Sequence, residues 1–213
     1  MYLVNNTEWF SIRTLTLPAT AVALLATFFV VWLVLRVQFP KKWSEVYGDA
    51  VFTFILVWKF SIIVTDFKAV IAQPFTLLYF NGGTIGVILG VMVASLQLWW
   101  KRKKLQFDAT GVVACSWAII LTQSIYQWFV VLLNDNQIKS EVITLSVLSI
   151  LTILILWKLT AINRALFLYT IGLIIVAFFQ PHGLWQPAVW VSVVLLILGI
   201  TIYDCSKKFS QST

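Results

Sequence analysis

Charge is scarce in this chain. Of 213 residues, 11% are Asp, Glu, Lys or Arg, against about a quarter in an ordinary soluble domain. Too few polar side chains exist to cover a water-facing surface, which excludes a soluble globular protein. There is one histidine, His182, and there are two cysteines, Cys115 and Cys205. The cysteines are far apart and form no CxxC, so metal-site spacing and a cysteine–histidine nucleophile pattern are both missing. They read as small, inert side chains. No Walker loop is present and no GxGxxG precedes a helix. Nucleotide hydrolysis and metal chemistry therefore have no residues to run on, and no cofactor is expected. The opening "MYLVNNTEWFSIR" lacks the basic start of a signal peptide, so the first apolar run is expected to stay. Linkers and low-complexity stretches are absent from the sequence.

Apolar sequence is what the chain has in excess, at 61%. Runs of roughly 18–20 such residues cross a hydrocarbon core. Seven candidates lie at about 15–35, 50–65, 82–100, 110–133, 142–157, 165–179 and 188–203. The expected fold is an all-α integral membrane protein. It is a bundle of about seven transmembrane helices in a single transmembrane domain, residues 1–213. The short second, fifth, sixth and seventh runs would extend into their polar flanks or thin the bilayer. Six spans result if the second run is re-entrant.

Charge placement gives an orientation. Arg36, Lys41 and Lys42 follow the first run, "KRKK" (101–104) the third, Lys158 and Arg164 the fifth, and Lys207 and Lys208 the last. The other side has Arg13, Lys68 and Lys139. Positive residues mark the cytoplasmic side, so the N-terminus is expected outside and the C-terminus in the cytoplasm of a multi-pass cell-membrane protein. This accounts for most of the +7 net charge without nucleic acid. "KRKK" reads as a topology anchor, or as a site for anionic lipid headgroups.

Four polar features interrupt the apolar runs. Lys59, in "VWKFSIIVTDF", lies about five residues from the outer end of the second run. Its stem either snorkels to the interface or faces the bundle interior toward an acid or a lipid phosphate. Asp66 follows seven residues later, two turns on along the same face if the helix continues that far. Asn81-Gly82-Gly83 opens the third run as a turn. Gly86 and Gly90 recur four apart along it, which permits close helix approach; the helix start also offers backbone N–H groups to an anion. Gln123, Ser124, Tyr126 and Gln127 crowd the outer half of the fourth run. Polar groups in a bilayer need partners, which interhelical hydrogen bonds would supply. His182 lies in the turn "FFQPHGLWQP", a conceivable acid or base.

The order of these features resembles bacterial prolipoprotein diacylglyceryl transferase. A "SIR" segment leads into the first run and a basic residue lies within the second. A Gly-Gly pair opens the third, which ends in a basic loop with Asp108 beyond it. The fourth carries Gln-x-x-x-Gln, and the end reads "FLYTIGLIIVAFF…HGLWQPAVWVSVVLLILGITIY". The resemblance covers nearly the whole chain. It implies seven spans with the N-terminus outside, and transfer of a diacylglyceryl group from phosphatidylglycerol to the lipobox cysteine of a prolipoprotein. It implies a phospholipid-headgroup site at Lys59, Asp66, Asn81, Gly82, Gly83, Gln123, Tyr126 and Gln127, with His182 as acid or base.

The chain departs from the family's pattern where phosphate is gripped. Lys59 stands in place of an arginine in the second span, and Asn81-Gly82-Gly83 in place of His-Gly-Gly. Gln127 and Val130 replace the arginine and asparagine of the fourth-span signature. The arginine- and glutamate-containing signature expected near the sixth span is missing from "IVAFFQPHG", and the outer insert is reduced to "NDNQIKSE". Guanidinium forks hold phosphate bidentately and a glutamine carries no charge. The reading is a diverged relative that binds a phospholipid headgroup or a lipoprotein in an intramembrane cavity. The alternatives are a non-catalytic accessory partner of another membrane protein, or a small transporter, for which inverted repeats and broken helices are expected.

Overall fold

In a computed structural model, the described residues are 9–12, 15–73, 82–105, 107–133, 138–157, 162–178 and 187–210. A short antiparallel hairpin comes first, β1 (Trp9–Ile12) on β2 (Leu15–Pro18), with Trp9 opposite Pro18 and Ile12 opposite Leu15. Nine helices follow among the described residues: α1 Ala19–Gln38, α2 Lys41–Phe60, α3 Ile62–Thr65, α4 Phe67–Ala72, α5 Gly83–Leu105, α6 Ala109–Leu133, α7 Ile138–Trp157, α8 Ile162–Phe178 and α9 Pro187–Ser210.

The expected helical class holds, with the hairpin as an addition. The first apolar run was expected to be helical from residue 15, but the helix starts at Ala19. Pro18 is its N-cap, with extended backbone (φ −67°, ψ 142°). A proline pushes the residue before it out of the helical region, so Leu17 stays in the strand. Pro40 caps α2 in the same way. Asp108 starts α6: its Oδ1 accepts the Gly111 N–H at 2.8 Å, a side-chain cap on an otherwise orphaned donor.

Four helices are long and apolar enough to cross a membrane: Ala19–Gln38, Lys41–Thr65, Gly83–Lys101 and Ala109–Leu133. The second of these was expected as a short run that extends into its polar flank or thins the bilayer, and it extends. It gains two turns on its basic flank and reaches 25 residues, about 37 Å at 1.5 Å per residue. Shorter apolar helices cover Glu141–Trp157, Arg164–Phe178 and Val189–Asp204. Large apolar side chains stand outward along these helices, Phe29, Phe52, Trp100, Trp157 and Phe178 among them. Such a surface suits hydrocarbon rather than water, and the chain is a membrane protein on this ground.

Helix α6 is the centre of the bundle and touches α1, α2, α7, α8 and α9. One core forms where α6, α7, α8 and α9 meet, around Ile120, Leu166, Tyr169 and Leu173. A second joins α1 to α6 through Val31, Leu35, Leu121 and Ile125. Hydroxyls inside helices are returned to their own backbone: Thr27 donates to Ala23 O at 2.7 Å and Ser116 to Val112 O at 2.9 Å. Neither hydroxyl is desolvated unpaired.

Candidate functional site

The candidate residues fall on two separate helix interfaces. The first is the antiparallel pair of α2 and α5. Gly82, Gly86 and Gly90 recur at four-residue spacing and so share one face. Opposite them stand Ser61, Trp58 and Phe54. A Cβ on Gly90 would lie 2.8 Å from the Phe54 ring, and one on Gly86 would lie 3.0 Å from the Trp58 carbonyl and strike the Ser61 hydroxyl. A Cβ on Gly82 would strike Ser61 as well. The glycine repeat therefore sets how close the two helices lie, as small residues do in bilayers.

That packing also changes what the start of α5 offers an anion. The Gly82 N–H donates to the Trp58 carbonyl at 3.2 Å, and the Ser61 hydroxyl donates to the same carbonyl at 2.8 Å. The Gly82 donor is thus spent inside the protein. Gly83 has φ +56°, in the left-handed region that glycine enters at little cost, and a Cβ there would meet nothing. Glycine there answers a backbone demand, not a packing one.

Lys59 lies beside Trp58, partly buried, and about 100° around the helix from it. It therefore does not point along the stripe that Phe54, Trp58 and Ser61 present to α5. The Trp58 indole N–H is buried without a hydrogen-bond partner among the described residues. The helix is interrupted at Ser61 and ends at Thr65, and Asp66 has left it (φ −145°, ψ 61°). The condition for Lys59 and Asp66 to share a helical face, an unbroken helix through residue 66, is not met. Asp66 is exposed just beyond the end. Asn81 and His182 lie outside the described residues.

The second interface surrounds the C-terminal half of α6, residues 122–127. Gln123, Ser124 and Gln127 are all buried, and Tyr126 is partly buried. Ser124 Oγ lies 2.6 Å from Thr152 Oγ1 on α7 and 2.7 Å from Tyr169 Oη on α8. Three helices are tied by one buried hydroxyl cluster. Next to it on α6, Thr122 Oγ1 meets Tyr47 Oη of α2 at 2.9 Å. Ser124, among the polar residues singled out in the fourth run, thus serves interhelical hydrogen bonding, as does its neighbour Thr122. Tyr47, Thr152 and Tyr169 were not singled out from sequence. The available signal was weak but real: Thr152 in "SILTILI" and Tyr169 in "FLYTIG" are polar groups in apolar runs, and each implies a partner.

At the far end of the α2–α5 pair the charges gather. Arg36, Lys41, Lys42, Lys101 and Lys104 come to one end of the bundle because α1, α2 and α5 alternate in direction. Lys101 Nζ lies 3.3 Å from Asp49 Oδ2, and Lys41 Nζ lies 3.3 Å from Glu45 Oε1. Lys42 Nζ donates to the Leu105 carbonyl at the end of α5 and sits 4.7 Å over the Trp43 ring. A cleft of about 260 Å³ opens here between α2 and α5, walled by Val46, Asp49, Gln97, Leu98, Lys101, Lys104 and Leu105.

Among the described residues, no group of three or more His, Cys, Asp or Glu could hold a metal ion. No family model, curated protein or solved structure matches the chain.

Proposed function

We infer that the chain is a seven-span cell-membrane protein, N-terminus outside and C-terminus cytoplasmic, that binds a phospholipid headgroup near the outer end of α2 without transferring its diacylglyceryl group. The seven spans are the four long helices together with α7, α8 and α9. The 17 residues of α8 rise only about 25 Å, so this span thins the bilayer locally or draws on its flanks. The orientation rests on the basic end formed by Arg36, Lys41, Lys42, Lys101 and Lys104.

The observation that supports headgroup binding is Lys59 itself, a partly buried cation in the last turn of an apolar helix. An intramembrane cation is by default a candidate for a ligand site. Phosphatidylglycerol supplies an anion that this cation suits. The likeness to prolipoprotein diacylglyceryl transferase favours the same lipid. Transfer is set aside because expulsion of glycerol phosphate needs several fixed cations, and this chain offers a single lysine where the family has arginines.

The test mixes purified protein with labelled phosphatidylglycerol and a lipobox peptide. Lipid is expected to be retained and the peptide cysteine to stay unlabelled. Lys59→Ala should leave membrane insertion intact and weaken lipid retention about tenfold, the value of one charge-assisted contact. Unchanged retention in the variant would make Lys59 a snorkelling side chain only. A labelled peptide would restore the transferase reading. Absence of lipid binding in the unmodified protein would favour an accessory partner.

A further inference from the structure

The stripe on α5 that carries Gly82, Gly86 and Gly90 does not end at the last glycine. Continued at helical spacing, it brings Gln97, Lys101 and Lys104 to the same side of the helix. Where the stripe is glycine, α5 closes on α2. Where it becomes Gln97 and the two lysines, a cleft of about 260 Å³ lies between the helices.

We propose that this cleft binds the phosphate of a glycerophospholipid whose head group carries a hydroxyl or ammonium donor. Three features fix that chemistry. Two lysines supply the charge for a phosphate. Lys104 has no carboxylate within 4.0 Å among the described residues, and Lys101 has only an exposed one, Asp49, with side chains 44% and 66% accessible. An ion pair in that setting holds its lysine weakly, so Lys101 can turn to a phosphate at small cost. Lys42 is not part of the set, because its ammonium is committed to the Leu105 carbonyl and the Trp43 ring.

The second feature is an acceptor pair on the wall. Asp49 offers a carboxylate, and the Gln97 side-chain oxygen is buried without a hydrogen-bond partner among the described residues. A buried amide left unpaired is costly. The amide can also be turned over, which exchanges its oxygen and nitrogen; either way a polar group at the cleft wall awaits a partner. A head-group hydroxyl or ammonium beside the phosphate provides one. The third feature is where the cleft opens. Val46 and Leu98 form its apolar wall, and Phe52, Met92, Val93 and Leu96 stand outward on the same two helices toward the bundle's middle. A lipid with its phosphate in the cleft has apolar surface below it for its acyl chains. The site is at the opposite end of α2 from Lys59, so it stands or falls independently of that residue.

Lysine footprinting reads the site residue by residue. The protein is placed in bilayer discs of phosphatidylcholine, with or without added phosphatidylglycerol, and acylated by a water-soluble reagent. Lys41, at the same end but outside the cleft, is the reference. Phosphatidylglycerol is expected to slow modification of Lys101 and Lys104 about tenfold relative to Lys41, the effect of one charge-assisted contact per lysine. Gln97→Leu keeps the helix and removes the amide, and should abolish most of that difference. Equal slowing of all three lysines would mean a general response to an anionic surface and would overturn the proposal. Protection that survives Gln97→Leu in full would overturn the role of the donor-bearing head group. Adding sn-glycerol 3-phosphate to phosphatidylcholine discs separates the two sources of the same chemistry. Protection only by the lipid supports the proposal as stated; equal protection by the soluble ester keeps the phosphate site and assigns its ligand to the water phase.

Discussion

Gly86→Leu is expected to separate α2 from α5 and to lower the stability of the purified protein by about 3 kcal/mol, the upper range for overpacking a closed interface. The side chain has nowhere to go. Its first carbon alone would lie 3.0 Å from the Trp58 carbonyl and run into the Ser61 hydroxyl. Neither neighbour can yield cheaply, since one is helix backbone and the other is hydrogen-bonded to that backbone at 2.8 Å. In a bilayer no hydrophobic drive pushes helices together, so lost close packing is not recovered elsewhere. The loss shows as a fall in thermal unfolding midpoint. Gly83→Leu serves as contrast in the contact sense, because a side chain there meets nothing and only the positive φ resists it. A Gly86→Leu protein as stable as the original would mean that the glycine repeat does not set the α2–α5 distance.

Ser124→Val carries the second large effect, a loss of about 2 kcal/mol. Valine deletes both contacts of the buried hydroxyl, to Thr152 at 2.6 Å and Tyr169 at 2.7 Å, and its extra methyl must be packed where Ser124 is fully buried. Each interhelical hydrogen bond in a membrane contributes roughly 0.6 kcal/mol on average and up to about 1.7. The orphaned Tyr169 hydroxyl adds a desolvation cost, since Tyr169 is 2% exposed. A double-mutant cycle isolates the coupling. Tyr169→Phe should cost about 1 kcal/mol in the original protein and almost nothing once Ser124 is valine. Additive losses would show that the two hydroxyls do not work together.

Much of the architecture is written in residue order. Long apolar runs located the helices, four of them long and apolar enough to cross a membrane, because backbone in a bilayer must satisfy its own hydrogen bonds. The four-residue glycine repeat pointed to a close helix contact, since spacing alone decides which side chains share a face. The start of α1 was harder, because Leu15-Thr16-Leu17 is equally apolar as strand or helix, and Pro18 decides it only through its effect on Leu17. The polar cluster of α6 was visible as a group needing partners, but Thr152 and Tyr169 are 28 and 45 residues away from Ser124. No local rule names such a pair. "KRKK" was legible as charge. That two of its lysines would share a cleft with Gln97 and Asp49 depends on the antiparallel register of α2 and α5, which the glycines fix.

The outer lysine and the inner cleft both presuppose one orientation in the membrane, and cysteine labelling in intact cells tests it directly. Native Cys115 and Cys205 are first replaced by alanine. Single cysteines are then placed at exposed positions on opposite ends of α2–α3, as Asp66→Cys and Lys41→Cys. A membrane-impermeant maleimide is expected to label Asp66→Cys in intact cells, and Lys41→Cys only after permeabilisation. Labelling of Lys41→Cys in intact cells with Asp66→Cys protected would reverse the orientation, moving Lys59 to the inner leaflet and the lysine cleft to the outside.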